Sequence, residues 1–388
     1  MDRDLNYIPK DAKLLLRVFN QKTKESGYSF LDLSTGSLEN LLIGPYDYSR
    51  RPLKAKNADR FVFTKGNFEL FPDLFYTDAT FENAKQISLA NPQQKEYTWG
   101  TKELFEWTSA DGQKLQGLLV KPENFDPNKK YPLIVNFYER SSNRLYQHQP
   151  PSAGRSTINY PFYASRGYVI FNPDIPYEVG YPGKSCYNSV VSGTEALIKE
   201  GFIDSENVGV QGHSWGGYQI AHLLTKTDMF KCAESGAPVV NMFSAYGGIR
   251  WGSGRSRMFQ YEQTQSRIGG TIWEKPELYI ENSPLFELEK TNTPVLILHN
   301  DEDTAVPWYQ GIEYFVGLRR LGKKAWLLNY NGEPHWPVKL ANRKDFNIRM
   351  QQYFDHYLKG APMPDWMDKG ISAVEKGKRQ GLKISSDH

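Results

Sequence analysis

Apolar and polar positions follow two different patterns along the chain. Within residues 1–95, short stretches such as KLLLRVFNQ, GYSFLDLSTG and DRFVFTKG are separated by Gly, Asn, Asp and Ser. β-rich stretches bounded by turn residues predict short β-strands. We therefore expect an all-β module over residues 1–95, typical of one or two β-propeller blades or of a small sandwich.

A second pattern begins after NPQQKEYTWG. The segment ELFEWTSADGQKLQGLLVKP predicts a hairpin with Asp111-Gly112 at its turn. Beyond it, apolar runs alternate with helical stretches such as GTEALIKEGF, GYQIAHLLTKT and QGIEYFVGLRRLG. The predicted strands are Leu133–Phe137, Tyr168–Asn172, Val208–Gln211, Lys231–Glu234, Val295–His299 and Ala325–Leu328. Strands alternating with helices predict a mostly parallel, doubly wound α/β sheet over residues 96–375, followed by a polar tail over 376–388.

Composition narrows the class of protein. A chain of 388 residues is long enough for a large core and a smaller module. The net charge is +3 and the basic residues are scattered, so nothing indicates nucleic-acid binding. The two cysteines, Cys186 and Cys232, have no metal-ligand spacing, and we expect two buried thiols with no metal site.

Targeting signals are absent from the sequence as it stands. No apolar run reaches the roughly 18 residues of a membrane span. The start MDRDLNYIPKDAKLL has no apolar region after its charges, so a signal peptide is not predicted. The protein is then either cytoplasmic, or its natural start lies upstream of this chain.

The candidate chemistry centres on Gly212-His213-Ser214-Trp215-Gly216, a G-x-S-x-G motif between a predicted buried strand and a predicted helix. Such a tight strand-to-helix turn places the serine in strained backbone geometry, and flanking glycines remove side chains that would clash. The helix N-terminus then favours negative charge developing on a substrate oxygen. Ser214 is therefore a candidate nucleophile, which requires a histidine and a carboxylate nearby.

One of the seven histidines meets this requirement best. In α/β hydrolases the acid and then the histidine follow the serine in the chain. His335 lies in YNGEPHWPVK, a loop directly after the predicted strand AWLLNY, where a side chain can reach across the top of the sheet. The remaining histidines precede or adjoin the serine, lie on predicted helices, close a strand or end the chain: His148, His213, His222, His356, His299 and His388.

The acid must come from the loop after the strand PVLILH. Asp301, Glu302 and Asp303 all lie there, and spacing alone does not choose among them. Two of the three are expected to be solvated or structural, for example by capping the next helix.

The motifs GHSWGGY, HNDEDTAVP and NGEPH, in this order, resemble the catalytic domain of the prolyl oligopeptidase family of serine peptidases, near its dipeptidyl-peptidase and acylaminoacyl-peptidase branches. The resemblance spans residues 96–370 and implies an α/β-hydrolase fold that needs no cofactor. The family acid, fifth in an H-G-x-x-D-x-x-V pattern, falls on Asp303, with Asn300 in place of the glycine. The family histidine falls on His335, so the implied triad is Ser214, Asp303 and His335.

An oxyanion hole is the next requirement. The geometry of the serine turn makes the backbone N–H of Trp215 one donor. The resemblance implies the hydroxyl of Tyr138 as the other, in VNFYERSS, where Glu139 and Arg140 replace two family glycines. We expect these charged residues to reshape the rim of the pocket.

The resemblance also implies the walls of the substrate pocket. They are Val239, Met242, Tyr246 and Val306, which would form a slot for proline, alanine or another small apolar side chain. Four arginines in the same segment are expected to be solvated or paired with Glu262, with a carboxylate-binding role left open for one of them: Arg250, Arg255, Arg257 and Arg267.

The sequence as a whole predicts a serine peptidase that cleaves oligopeptides through an acyl-enzyme. Family members carry a whole propeller, whereas residues 1–95 suffice for one or two blades, so the chain is either a fragment or has a reduced cap. Two alternatives remain: a carboxylic-ester hydrolase, since the same site cleaves esters more easily, and a catalytically silent fragment of a longer peptidase. Homo-oligomerisation is left open.

Overall fold

The computed structural model describes residues 7–372 and 374–384, and these residues form two compact units. One unit comprises the chain up to Glu103 together with Ser142–Pro150. The other comprises Leu104–Ser141 and the chain from Pro151 onward. Within the described ranges, no helix is both long and apolar enough to cross a membrane.

Two antiparallel sheets make up the first unit. The first has the order β1-β2-β3, with strands β1 (Lys13–Phe19), β2 (Ser26–Asp32) and β3 (Leu38–Gly44). In the second, β6 pairs with β4, β5 and β7, and β7 pairs with β8. Its strands are β4 (Asp47–Tyr48), β5 (Leu53–Lys54), β6 (Arg60–Gly66), β7 (Asp73–Asp78) and β8 (Lys85–Gln86).

Aromatic rings fill the core of this unit. The ring of Tyr28 is fully buried, with its centroid 5.3–5.9 Å from those of Tyr48, Phe63 and Phe81. Its hydroxyl donates to the carbonyl of Ser49 at 2.6 Å, which satisfies the one polar atom that the ring takes into the core. A few large aromatic residues thus supply most of the burial that these short strands need.

An eight-stranded sheet organises the second unit, in the order β18-β17-β14-β13-β11-β12-β10-β9. Strands β18 to β12 pair in parallel, and β10 is antiparallel to β12. The strands are β9 (Thr101–Thr108), β10 (Lys114–Lys121), β11 (Tyr131–Asn136), β12 (Val169–Pro173), β13 (Ile203–His213), β14 (Cys232–Gly236), β17 (Val295–Leu298) and β18 (Ala325–Leu328). A separate ribbon pairs β15 (Ile249–Arg250) with β16 (Arg255–Ser256). The predicted, mostly parallel α/β sheet is confirmed.

Nine α-helices accompany the strands in the described part of the chain. They are α1 (Tyr160–Ser165), α2 (Pro182–Lys199), α3 (Trp215–Leu223), α4 (Met242–Tyr246), α5 (Met258–Glu262), α6 (Pro276–Glu281), α7 (Tyr309–Arg320), α8 (Leu340–Lys359) and α9 (Asp365–Asp368). Short 3-10 turns lie at Pro92–Glu96, Ser142–Arg144 and Pro284–Lys290. Strands β11, β12 and β17 are buried almost throughout and mainly apolar, as expected when helices cover both faces of a sheet.

The region predicted as a polar tail is packed as far as the structure describes it. The carbonyl of Leu382 accepts from Gln352, and Ile384 bridges to Pro364. Residues 385–388, including His388, lie outside the described residues. Both cysteines are buried free thiols, as the sequence predicts.

A buried histidine makes the second unit sensitive to acid. The ring of His222 on α3 is 3% exposed and packs so closely on α2 that a Cβ added to Gly183 would lie 2.4 Å from it. Burial, and then the charge of Lys226, lowers the pKa of His222 to about 4. Because the unfolded chain binds this proton near pH 6.5, the stabilisation by neutral His222 is present above pH 6.5 and lost as the pH falls towards 4.

We expect His222→Gln to reduce this acid sensitivity. Between pH 7 and pH 4.5 the wild type should lose about 2 kcal/mol more free energy of unfolding than the variant, measured by urea denaturation at both pH values. The variant loses packing at every pH, so the difference between the two pH values is the diagnostic quantity. Equal losses would contradict the assignment.

Candidate active site

Ser214 occupies a strained turn between β13 and α3. Its backbone has φ 60° and ψ −113°, a conformation that non-glycine residues rarely adopt. Its N–H donates to the carbonyl of Gly236, the last residue of β14, at 2.7 Å. The neighbouring strand therefore holds the turn in place, and the strain predicted for this serine is present.

Close backbone approach explains the glycines that follow. A Cβ on Gly216 would lie 2.6 Å from the carbonyl oxygen of Phe137, and one on Gly217 would lie 2.3 Å from that of Gly236. Both distances are far below any ordinary contact, and the obstructing atoms are backbone. The two glycines thus let α3 start directly against the ends of β11 and β14.

Asp303 and His335 meet in the loops after β17 and β18. The Nδ1 of His335 lies 2.6 Å from Oδ2 of Asp303, whose side chain is fully buried. The other oxygen of Asp303 accepts from the backbone N–H groups of Ala305 and Val306, each at 2.8 Å. Burial alone would raise the pKa of Asp303, but hydrogen bonds from His299 and His335 hold it well below its usual value. The carboxylate is therefore ionised at neutral pH and orients His335.

The other two acidic residues of this loop have different partners. Asp301 accepts from the side chain of Asn331 and the N–H of Gly332, which braces the turn before His335. Glu302 is exposed. Geometry thus distinguishes three carboxylates that spacing could not.

Two further histidines surround the pair, and sequence reasoning did not assign either to the site. His299 is 1% exposed and places Nε2 3.4 Å from Oδ2 of Asp303 and 3.1 Å from the carbonyl of Val306. The ring of His213 lies 4.7 Å from that of His335. Burial, and then the neighbouring His335, lowers the pKa of His213 well below its usual value, so it stays neutral. The position of His299 four residues before Asp303 was the available signal.

Tyr138 lies beside the serine. Its hydroxyl accepts from Nε2 of Gln265 at 2.7 Å. Burial raises the pKa of Tyr138, and hydrogen bonds with Gln265 and with Ser214 only partly offset that rise. The phenol is therefore protonated at neutral pH and can donate a hydrogen bond. The backbone N–H of Trp215, in the first turn of α3, has no intrahelical acceptor by its position.

A small cavity opens at Ser214. It has a volume of about 10 Å³ and is lined in part by Trp215, Val239, Tyr261 and Val306. Met242 and Tyr246, the other two predicted walls, are fully buried in the same apolar cluster as Val239 and Val306. Their role in substrate binding stays a prediction.

The four arginines of this segment differ from one another. Arg267 pairs with Glu139 at 3.1 Å. Glu262, their expected partner, instead accepts from the hydroxyl of Tyr246 at 2.6 Å. Arg250 and Arg257 line the small cavity at Ser214.

The remaining histidines lie elsewhere. His148 belongs to the first unit, where its ring stacks on Trp99 at 5.2 Å. His356 on α8 places Nδ1 2.8 Å from the carbonyl of Ala361. Over the described residues, no three His, Cys, Asp or Glu side chains are grouped so as to hold a metal ion.

Comparison with known proteins places these features in context. Residues 179–361 match the model of the prolyl oligopeptidase family. The chain is 26% identical over 305 residues to the uncharacterized peptidase YuxL of Bacillus subtilis, covering 74% of this chain and 44% of that protein. It is 24% identical over 369 residues to dipeptidyl-peptidase 5 of Porphyromonas gingivalis, covering 87% and 49% respectively. The chain thus spans less than half the length of these two relatives.

Solved structures show the same fold. An acylaminoacyl peptidase of Pyrococcus horikoshii superposes with a TM-score of 0.71 at 19% identity, covering 93% of this chain and 56% of that one. A puromycin hydrolase superposes with a TM-score of 0.67 at 18% identity, covering 87% and 51%. The predicted fold class, an α/β-hydrolase preceded by a β-rich module, is confirmed.

Proposed function

We propose that the protein is a serine peptidase of the prolyl oligopeptidase family, whose model residues 179–361 match, and that it hydrolyses oligopeptides with Ser214 as nucleophile. The proposal rests on the contact between Asp303 and His335, whose ring lies 4.7 Å from that of His213, the residue before the strained Ser214. A serine hydroxyl becomes nucleophilic when an adjacent base takes its proton. His335 is the base in this scheme.

Asp303 fixes the form of His335 that can act. Because Nδ1 of His335 donates to Asp303, the neutral ring presents Nε2 without a proton. This nitrogen takes the proton of Ser214 during attack and returns it to the leaving amine. The buried carboxylate stabilises the imidazolium that forms between these steps.

The developing oxyanion is stabilised by two donors in our proposal. The Trp215 N–H lies at the N-terminus of α3, and the protonated Tyr138 hydroxyl lies beside Ser214. The Trp215 N–H is part of the helix backbone and the Tyr138 hydroxyl accepts from Gln265 at 2.7 Å, so we expect little reorganisation when charge appears on the substrate oxygen. The resulting acyl-enzyme is then hydrolysed by water, with His335 again as base.

Tyr138→Phe tests the second donor. We expect kcat for peptide hydrolysis to fall by about 10²- to 10³-fold, because one oxyanion hydrogen bond is lost while the ring remains. Tyr309→Phe is the matched control, since Tyr309 is 41% exposed and Tyr138 is 42% exposed. A Tyr138→Phe variant as active as this control would remove Tyr138 from the oxyanion hole.

The proposed activity is tested by labelling and by paired substrates. The purified chain should react with a fluorophosphonate probe at one site and cleave both a peptidyl anilide and the matching peptidyl ester. Cleavage of the ester with no anilide cleavage would replace the peptidase with an ester hydrolase. A folded chain that neither labels nor cleaves would refute both.

A further inference from the structure

A wide cavity adjoins the small cavity at Ser214. Its volume is about 940 Å³. Arg250, Gln260 and Gln265 line both cavities, so the two lie side by side. The wide cavity is also lined by Arg255, Arg267 and Glu139. Glu139 pairs with Arg267, and no other acidic residue among the described residues lines this cavity to balance the charges of Arg250 and Arg255.

The ribbon of β15 and β16 concentrates those two charges. Arg250 and Arg255 are directly opposite each other in its ladder. Side chains directly opposite in an antiparallel pair leave the ribbon on the same face, where like charges destabilise it. The ribbon therefore places both cationic side chains on one face, beside the wide cavity that they line, where a bound anion would offset their repulsion.

No carboxylate in the described part of the chain supplies that anion. Among the residues that the structure describes, Arg250, Arg255 and Arg257 have no carboxylate oxygen within 4.0 Å. Arg250 donates through Nε and Nη2 to the neutral amide oxygen of Gln260, at 3.3 and 3.0 Å. Burial, and then the nearby Arg257, lowers the pKa of Arg250, and the charge of Asp303 offsets this only in part.

Arg257 adds a third charge behind the cavity wall. It is 1% exposed and donates to the carbonyl of Ala305 and to the hydroxyl of Tyr261, both neutral. Its Nε is buried without a hydrogen-bond partner in the described structure. A buried guanidinium normally has a paired anion, because its desolvation is costly. Its position on the cavity at Ser214 indicates where that anion would bind.

On the basis of the proposed peptidase function, we propose that Arg250, supported by Arg255 and Arg257, binds a carboxylate of the peptide substrate. The preferred source is an acidic side chain on the residue before the scissile bond. Val239, Val306 and Arg250 line the same small cavity, so an acidic side chain bound at this cavity would face the guanidinium group of Arg250. Guanidinium and carboxylate form paired, charge-assisted hydrogen bonds that a neutral amide cannot match.

The test compares substrates that differ in this charge alone. Acyl-Ala-X-aminomethylcoumarin substrates are made with X as Glu, Gln, Pro or Ala. We expect kcat/KM for Glu to exceed that for Gln at least tenfold in the wild type, with the ratio falling as salt is added. Arg250→Gln should bring the ratio close to one, and Arg250→Lys should retain part of it. Arg319→Gln, on the exposed face of α7, should leave the ratio unchanged.

A second pair of peptides separates the two sources of a carboxylate. These peptides carry Gln before the scissile bond and end two residues after it in either a free carboxylate or an amide. A gain for the free carboxylate that disappears in Arg250→Gln would assign the arginine to the substrate C-terminus instead of an acidic side chain.

The measurements distinguish failure of the proposed carboxylate site from failure of the proposed peptidase activity. A chain that reacts with the fluorophosphonate probe but cleaves the Gln, Pro or Ala substrates as well as the Glu substrate, and shows no gain from a free C-terminus, would overturn the carboxylate site alone. A folded chain that neither labels nor cleaves any substrate would overturn both. Because each ratio is taken within one variant, a general loss of stability does not change the conclusion.

Discussion

Ser214→Ala is expected to lower peptide hydrolysis by about 10⁴- to 10⁶-fold and to abolish fluorophosphonate labelling. The hydroxyl that attacks the carbonyl is removed, whereas the positive φ of this position strains alanine as much as serine. The variant should therefore unfold at the same urea concentration as the wild type. Measuring kcat/KM, labelling stoichiometry and the unfolding midpoint on the same preparation separates chemistry from folding.

His335→Ala should match this loss, and the double variant should be no worse than either single one. The effects of substituting residues that act as a unit are not additive, because either substitution alone already inactivates the triad. Ser165→Ala, at an exposed position on α1, provides the control for replacing a serine. Labelling that persists in Ser214→Ala would place the nucleophile at another residue.

Much of the sheet could be predicted from the sequence. The apolar runs at Leu133–Phe137, Tyr168–Asn172 and Val295–His299 correspond within two residues to β11, β12 and β17. A strand buried on both faces must be apolar at every position, so its pattern is unambiguous when turn residues bound it. The order of the strands depends on long-range pairing that local pattern does not encode.

The start of α2 shows where local pattern fails. The sequence predicts helix from Gly193, whereas the helix begins at Pro182. Its first half, PGKSCYNSVVS, contains glycine, asparagine, serines and β-branched residues that are poor helix formers. This half is helical because its buried face packs on α3, where Gly183 lies against His222. Tertiary packing overrides intrinsic propensity here.

The candidate site likewise has features that the sequence predicts and features that depend on tertiary contacts. The serine turn has a sequence signature because close backbone approach requires its glycines, as at Gly216 against the carbonyl of Phe137. The choice of Asp303 over Asp301 and Glu302, and the contact of His299 with Asp303, depend on how the loops after β17 and β18 meet. The unpaired charges of Arg250 and Arg257 also depend on tertiary contacts, since Glu262 is near them in sequence but accepts a hydrogen bond from Tyr246 instead.

Asp303→Asn is expected to lower kcat by about 10⁴-fold with little change in KM. The asparagine oxygen can still accept from the N–H groups of Ala305 and Val306. Its amide nitrogen would then face Nδ1 of His335, where two donors cannot form a hydrogen bond. His335 must move its proton to Nε2, the nitrogen that has to accept from Ser214. Activity is lost because His335 is then in the wrong tautomer to accept the serine proton. Steady-state kinetics at pH 7 to 8 measure this loss.

Glu302→Gln is the matched control, because Glu302 is the exposed residue next to Asp303 and the substitution removes the same charge. The kcat of this variant should stay within a few-fold of the wild type. The pKa of Asp303 is held below its usual value, so the stabilisation by its ionised form is present above about pH 4 and is lost only in stronger acid. Stability at pH 7 to 8 therefore does not vary with its titration, and the kinetic comparison in this range reports the hydrogen bond to His335. If Asp303→Asn and Glu302→Gln lowered kcat equally, the loop charge would matter and the contact between Asp303 and His335 would have no catalytic role.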